Sequence, residues 1–139
     1  MILLDTNVIS EIMLPQPAIR VFHWMDSQPV PSLWTTSINI YEIRYGLQSM
    51  PTGRKRSALI VLFERWLAEV IQQRILSFDA IAAQCAADLA TERKAKGRPG
   101  DPRDTMIAGI VLASHAKLAT RNVKHFEEIA SSLVNPWEA

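Results

Sequence analysis

The sequence predicts a three-layer α/β/α sandwich built on a short, mainly parallel sheet. Three observations carry that expectation. Short apolar or β-branched runs recur at residues 2–4, 33–36, 75–78 and 118–120, each too short for a helix. Between them lie segments with apolar residues at helical spacing, and strands alternating with helices imply a parallel sheet covered on both faces. The 139 residues are 48% hydrophobic and 21% charged, an ordinary globular composition that excludes disorder and fits one domain over residues 1–139.

Each element has its own local signal. Residues 2–4 form a buried strand ending in Asp5-Thr6-Asn7, which are helix-starting residues. Residues 8–14 read as a short helix stopped by Pro15 and Pro17, and residues 18–25 as another. Gln28-Pro29-Val30-Pro31 turns into the second strand, and Ser37 is placed to cap a helix carrying Ile40, Ile43 and Leu47. Pro51-Thr52-Gly53 breaks the chain before a long amphipathic helix marked by Leu59, Leu62, Phe63, Trp66 and Val70. After the third strand, Asp79 caps an alanine-rich helix carrying Ile81, Cys85 and Leu89, whose end runs into the Gly97-Arg98-Pro99-Gly100 loop. Asp101-Pro102 restarts a helix through Ile107, Ile110 and Val111, with proline at the first helical position. A last helix containing Phe126 and Ile129 follows the fourth strand.

Charge and cysteine content narrow the function. Fifteen basic and fourteen acidic residues give a net charge of +1, which excludes a histone-like mode of nucleic-acid binding but leaves room for a local basic patch. The single cysteine, Cys85, cannot form an internal disulfide and reads as a small core residue. No signal peptide and no apolar stretch near the ~18 residues of a membrane span are present, so a cytoplasmic protein is expected. His23 and His115 show no metal-ligand spacing; His125 is open to a phosphate contact or to solvation at a helix start. Arg54-Lys55-Arg56 and Arg93-Lys94, Lys96 and Arg98 read as solvated helix ends, or as a track for an RNA backbone.

The candidate chemistry lies in three acids. Asp5 ends the first strand, and it either caps a helix or serves a site, since chemistry in parallel sheets collects at the carboxyl ends of strands. Glu42 sits in a helix among Ile40, Tyr41, Ile43 and Tyr45, where a carboxylate is either paired, with Arg44 at hand, or a ligand. Asp104 falls in the first turn of its helix if Asp101 is the cap, which suits the helix dipole as well as it suits a site. Converging at one sheet edge, the three would repel one another unless a hard cation such as Mg²⁺ or Mn²⁺ lay between them.

These residues carry a family resemblance. Asp5-Thr6-Asn7 after an N-terminal strand, Glu42 in the third helix, Asp104 before Met106-Ile107-Ala108, and Ala119-Thr120-Arg121-Asn122 with Phe126 beyond resemble a PIN domain. The pattern is most similar to the VapC-type toxin ribonucleases of toxin–antitoxin operons, and the ending Asn135-Pro136-Trp137 resembles their FitB-like branch. The resemblance spans essentially the whole chain. It implies a Mg²⁺-dependent endoribonuclease (with Mn²⁺ as a substitute) in which Asp5, Glu42 and Asp104 are catalytic and hold the metal. It also implies supporting roles for Thr6, Asn7, Thr120 and Asn122. Asn122 stands where the family often has a fourth acid, so a second firmly held ion is not expected.

The same resemblance implies a cognate VapB-like antitoxin, an RNA substrate, and a homodimer that pairs again in the antitoxin complex. Operator DNA would be met only through the antitoxin, and no membrane is involved. Two alternatives compete. A haloacid-dehalogenase-type phosphatase needs a second acid two residues after the first, where this chain has Asn7. A weakly active PIN-like module that mainly binds antitoxin fits Asn122 but not the three acids.

Overall fold

The computed structural model describes residues 1–139. Five parallel strands form the sheet: β1 (Ile2–Leu4), β2 (Leu33–Thr36), β3 (Ile75–Leu76), β4 (Lys117–Ala119) and β5 (Leu133–Val134). Their order is β3-β2-β1-β4-β5, with Leu3 opposite Trp34 on one side and Leu118 on the other. The connections are α1 (Thr6–Ile12), α2 (Ile19–Asp26), α3 (Ser37–Gln48), α4 (Arg54–Trp66), α5 (Ala80–Ala95) and α6 (Pro102–Ser114). The expected α/β/α sandwich is what the chain forms.

Strand alternation builds the two cores. Leu3 and Leu118 point to one face, where α5 and α6 supply Ala82, Leu89, Ile107, Ala108, Ile110 and Val111. Leu4 and Ala119 point to the other, where Val8, Ile9, Ile43 and Phe63 of α1, α3 and α4 cover them. The chain runs outward from β1 to β2 and β3, then returns to lay β4 on the opposite side of β1. The order reverses between β1 and β4, and a crevice at the carboxyl ends of those two strands is where an open parallel sheet binds ligands.

Several local expectations are corrected. Thr36, not Ser37, caps α3, its hydroxyl accepting the Asn39 N–H at 3.1 Å, while the Ser37 hydroxyl accepts the Phe78 N–H at 3.3 Å. The third strand stops at Leu76 because the chain turns there toward the Asp79 cap of α5. Ile81 is exposed and Cys85 only half-buried, because α5 turns Ala82, Ala86, Leu89 and Arg93 inward instead. Leu62 is likewise exposed beside the buried Phe63. The last helix is a run of 3-10 turns (Val123–Ser132) kinked at Phe126 and Ile129, which bury their side chains, and β5 follows it unforeseen.

The tight seam between α5 and α6 fixes where the start of α6 lies. A Cβ on Gly109 would meet the Ala82 carbonyl oxygen at 2.5 Å and the Ala86 Cβ at 2.8 Å. Gly109→Ala is therefore expected to destabilise the fold by about 1–3 kcal/mol, as overpacking does, read as a lower denaturant midpoint. An unchanged midpoint would contradict this close approach.

Candidate active site

Asp5 joins the end of the central strand to the helix that follows it. Its backbone N–H donates to Ala119 O at 3.0 Å, and its extended backbone (φ −73°, ψ 161°) places it as the N-cap of α1. The side chain is 4% exposed and accepts four donors. Oδ1 takes the Thr6 N–H and the Asn39 side-chain amide, both at 2.8 Å. Oδ2 takes the Thr120 hydroxyl at 2.7 Å and the Asn7 amide at 3.4 Å. A cap needs only one such bond. Elements from both sides of β1 are organised around this one carboxylate.

Asn39 was not among the residues singled out in the sequence. It is fully buried, one helical turn before Glu42 on α3, and it bridges Asp5 to the Thr6 hydroxyl at 3.0 Å. The Thr6 hydroxyl in turn donates to Glu42 Oε1 at 2.8 Å. The only sequence signal for Asn39 is its i, i+3 spacing from Glu42, which puts both on one helix face. Arg44 does not pair with Glu42; it points away to Glu64, and the cation nearest Glu42 is Arg103, at 3.7 Å from Oε2.

Asp104 occupies the first turn of α6, whose N-cap is Asp101 as expected. Its Oδ2 lies 3.1 Å from His125 Nδ1. The side chains of Glu42 and Asp104 are 18% and 21% exposed. Burial pushes the Glu42 carboxyl above its ordinary pKa, with repulsion from Asp5 and Asp104 adding and the Thr6 and Arg103 contacts opposing. Burial likewise raises Asp104, aided by Asp5 and Asp101 and opposed by His125. The three acids thus act on one another electrostatically across the crevice.

Around them, Thr120 is fully buried, and Asn7 ties Thr120 Oγ1 to the Arg121 N–H by accepting the latter at 3.1 Å. Asn122 is exposed; its backbone N–H donates to Thr120 Oγ1 at 3.1 Å, and its side chain makes no hydrogen bond. Arg93, expected in solvent, is buried instead. It donates to Glu128, to Thr105 Oγ1 at 2.8 Å and to the His125 carbonyl at 3.0 Å, clamping α5, α6 and the 3-10 segment together behind Asp104. Gly100 (φ +70°) passes beside that guanidinium, where a Cβ would lie 2.9 Å from Nη1.

The residues present suit a hard divalent cation. Every candidate donor is a carboxylate oxygen. Asp104 Oδ1 has neither a hydrogen bond nor an ion pair and is open to a ligand, while Glu42 Oε2 accepts no hydrogen bond and faces only the half-exposed Arg103 at 3.7 Å. No three acidic, imidazole or thiol groups close into a ready-made cage. Mg²⁺ does not require one, since it keeps several waters and commonly takes only one or two carboxylates.

Comparison with known proteins identifies the family. The PIN domain model matches residues 2–131. The chain belongs to the PIN-domain family. It is 37% identical to the plasmid stability protein StbB of Pseudomonas syringae pv. tomato, over the full length of both. It is 36% identical to the VapC ribonuclease Y4jK of Sinorhizobium fredii, over 99% of each chain. A structure of FitAB bound to an IR36 DNA fragment superposes with a TM-score of 0.89 at 34% identity, covering 99% of this chain and 96% of that one. No helix is long and apolar enough to cross a membrane.

The raised Asp104 carboxyl yields a stability prediction for the PIN domain without metal. Between the ordinary aspartate pKa and the raised one, the folded state holds a proton that the unfolded chain has lost, so stability falls as pH rises through that window. Asp104→Asn removes this penalty. At neutral pH in chelator, the variant should melt higher than wild type. The gap should close as pH falls below the aspartate range, and a variant that melts lower at neutral pH would contradict the account.

Proposed function

We propose that the chain is the toxin of a type II toxin–antitoxin pair, an endoribonuclease that depends on a divalent cation and is neutralised by a VapB-like antitoxin. One observation carries most of the weight. Asp5 and Glu42 are joined through Thr6 and Asn39 at the switch point of the sheet, with Asp104 near enough to interact with both electrostatically, in a chain similar along its length to a VapC ribonuclease. Asp5, Glu42 and Asp104 are the catalytic residues and would hold Mg²⁺, or Mn²⁺ in its place. Thr6, Asn7, Asn39 and Thr120 orient the acids, and Asn122 stands at the rim without adding charge.

When bound, the cation activates water and neutralises charge on the phosphate. The chain's own residues do the positioning. The four donors on Asp5 fix both of its oxygens before substrate enters. Thr6 holds Glu42 by Oε1 and leaves Oε2 to the longer Arg103 contact, and His125 holds Asp104 by Oδ2 and leaves Oδ1 free. The reaction is hydrolysis: the water oxygen bonds to phosphorus as the P–O3′ bond breaks, giving 5′-phosphate and 3′-hydroxyl ends.

The partner reading rests on the resemblance to the DNA-bound FitAB structure and on surface chemistry. A groove of about 320 Å³ beside Thr6 and Glu42 is lined by Met13, Leu14, Ile43, Leu47 and Leu59. An antitoxin segment with an apolar face fits it and would cover Glu42. Exposed Phe22, Tyr41, Tyr45 and Leu62 give further apolar area for a homodimer and for the larger antitoxin assembly, through which operator DNA is reached.

The test is cleavage of RNA with mapped ends. Activity should require Mg²⁺ or Mn²⁺ and vanish in chelator. Asp5→Asn and Asp104→Asn should each lower the rate more than about a hundredfold, beyond what outer-shell partners of a metal contribute, with circular dichroism unchanged. Wild-type rates from Asp104→Asn would sink the nuclease mechanism. An inert wild type that still bound antitoxin and operator would favour the binding module instead.

A further inference from the structure

The proposed chemistry leaves the C-terminal segment unused, yet that segment is built onto the rim of the site. Thr120, which holds Asp5, donates its backbone N–H to Val134 O at 3.0 Å, so the chain leaving β5 runs beside the acids. Asn135 then folds the ending back. Its Oδ1 accepts the Trp137 N–H and its carbonyl accepts the Glu138 N–H, each at 3.0 Å. The turn brings the Trp137 indole to Arg121, whose guanidinium carbon lies 4.9 Å from the ring centroid.

Arg121 is therefore fixed at both ends. Its N–H bonds to Asn7, which reaches Asp5 and Thr120, so its main chain stands two hydrogen bonds from the Asp5 carboxylate. Its side chain is exposed, lies over the indole ring, and takes part in none of the chain's ion pairs. Arg103, the cation nearest the acids, faces Glu42 Oε2 at 3.7 Å, and the His125 imidazole lies against Asp104 Oδ2 at 3.1 Å. A guanidinium lying on an aromatic face keeps the donors along its edge free, in the fork that matches two phosphate oxygens. An enzyme of net charge +1 must attract a polyanion through such local, free cations.

We infer that Arg121, held over Trp137, binds a phosphate of the RNA flanking the one that is cut, and that the Asn135–Trp137 turn exists to hold it there. The inference rests on the ribonuclease reading above. Its test is steady-state cleavage of a single-stranded RNA at several salt concentrations, by wild type, Arg121→Ala, Arg121→Lys and Trp137→Phe. Arg121→Ala should raise KM about tenfold, the loss of a hydrogen-bonded charge contact, with kcat within a factor of about two. The slope of log KM against log salt should shrink by about 0.7, the value for one single-strand phosphate contact. Arg121→Lys should restore the slope but only part of KM, and Trp137→Phe, which keeps a ring face, should stay close to wild type. Mn²⁺ affinity of Arg121→Ala, measured without RNA, should equal that of wild type. Cleavage by Arg121→Ala with unchanged KM and slope overturns this inference alone, whatever happens to its melting point. An absence of cleavage by wild type overturns the ribonuclease reading and this inference with it.

Discussion

A buried carboxylate at the end of the central strand governs the arrangement of this molecule. Asp5 terminates β1, caps α1, and accepts hydrogen bonds from α1, from α3 and from the end of β4. In a parallel sheet the strand ends and the following helix starts lie on one edge, so their unpaired N–H groups and dipoles favour negative charge there. Asp104 uses the same edge from the first turn of α6. Glu42 is delivered one turn further into α3, because Thr36 and Asn39 lock the start of that helix to Asp5.

Such a concentration of acid works against stability. Burial and mutual repulsion lift Glu42 and Asp104 above the usual carboxylate range, and single contacts from Thr6, Arg103 and His125 oppose this only in part. Elsewhere the chain treats buried charge differently. Arg93 has a carboxylate, a hydroxyl and a carbonyl around it, and Glu128 opposite is held below its ordinary pKa by that hydrogen bond. One charged cluster is closed and structural. The other is left open, with Asp104 Oδ1 unpartnered and Glu42 Oε2 facing only a long Arg103 contact, as expected where a cation is to enter.

Much of this was legible in the sequence because it depends on local chemistry. The short runs at β1, β2 and β4, the Asp79 and Asp101 caps, and the positive-φ loop at Gly97 and Gly100 follow from residue type and period alone. Asp5 stood out at a strand end, Glu42 among apolar neighbours and Asp104 in the first turn of a helix. What stayed hidden depends on distant partners. Arg93 has the sequence context of a solvated helix end, and only the folding of the 3-10 segment across it makes it buried. Asn39 looks like any polar helical residue until Asp5 is brought beside it. β5 has two residues, too few to show a period, and it exists because β4 offers an open edge. Arg44 was the obvious partner for Glu42 by sequence distance, but its side chain leaves that face for Glu64.

The central claim is that the repulsion among Asp5, Glu42 and Asp104 is relieved by one divalent cation. The most direct measurement is titration of Mn²⁺ into the purified chain, followed by calorimetry and by loss of the free-ion EPR signal, with Asp5→Asn and Glu42→Gln alongside. The account predicts one firm site per chain in the wild type, weakened at least about tenfold by either substitution, as loss of a charged ligand requires. Equal affinity in all three proteins, or no binding by the wild type, would contradict it.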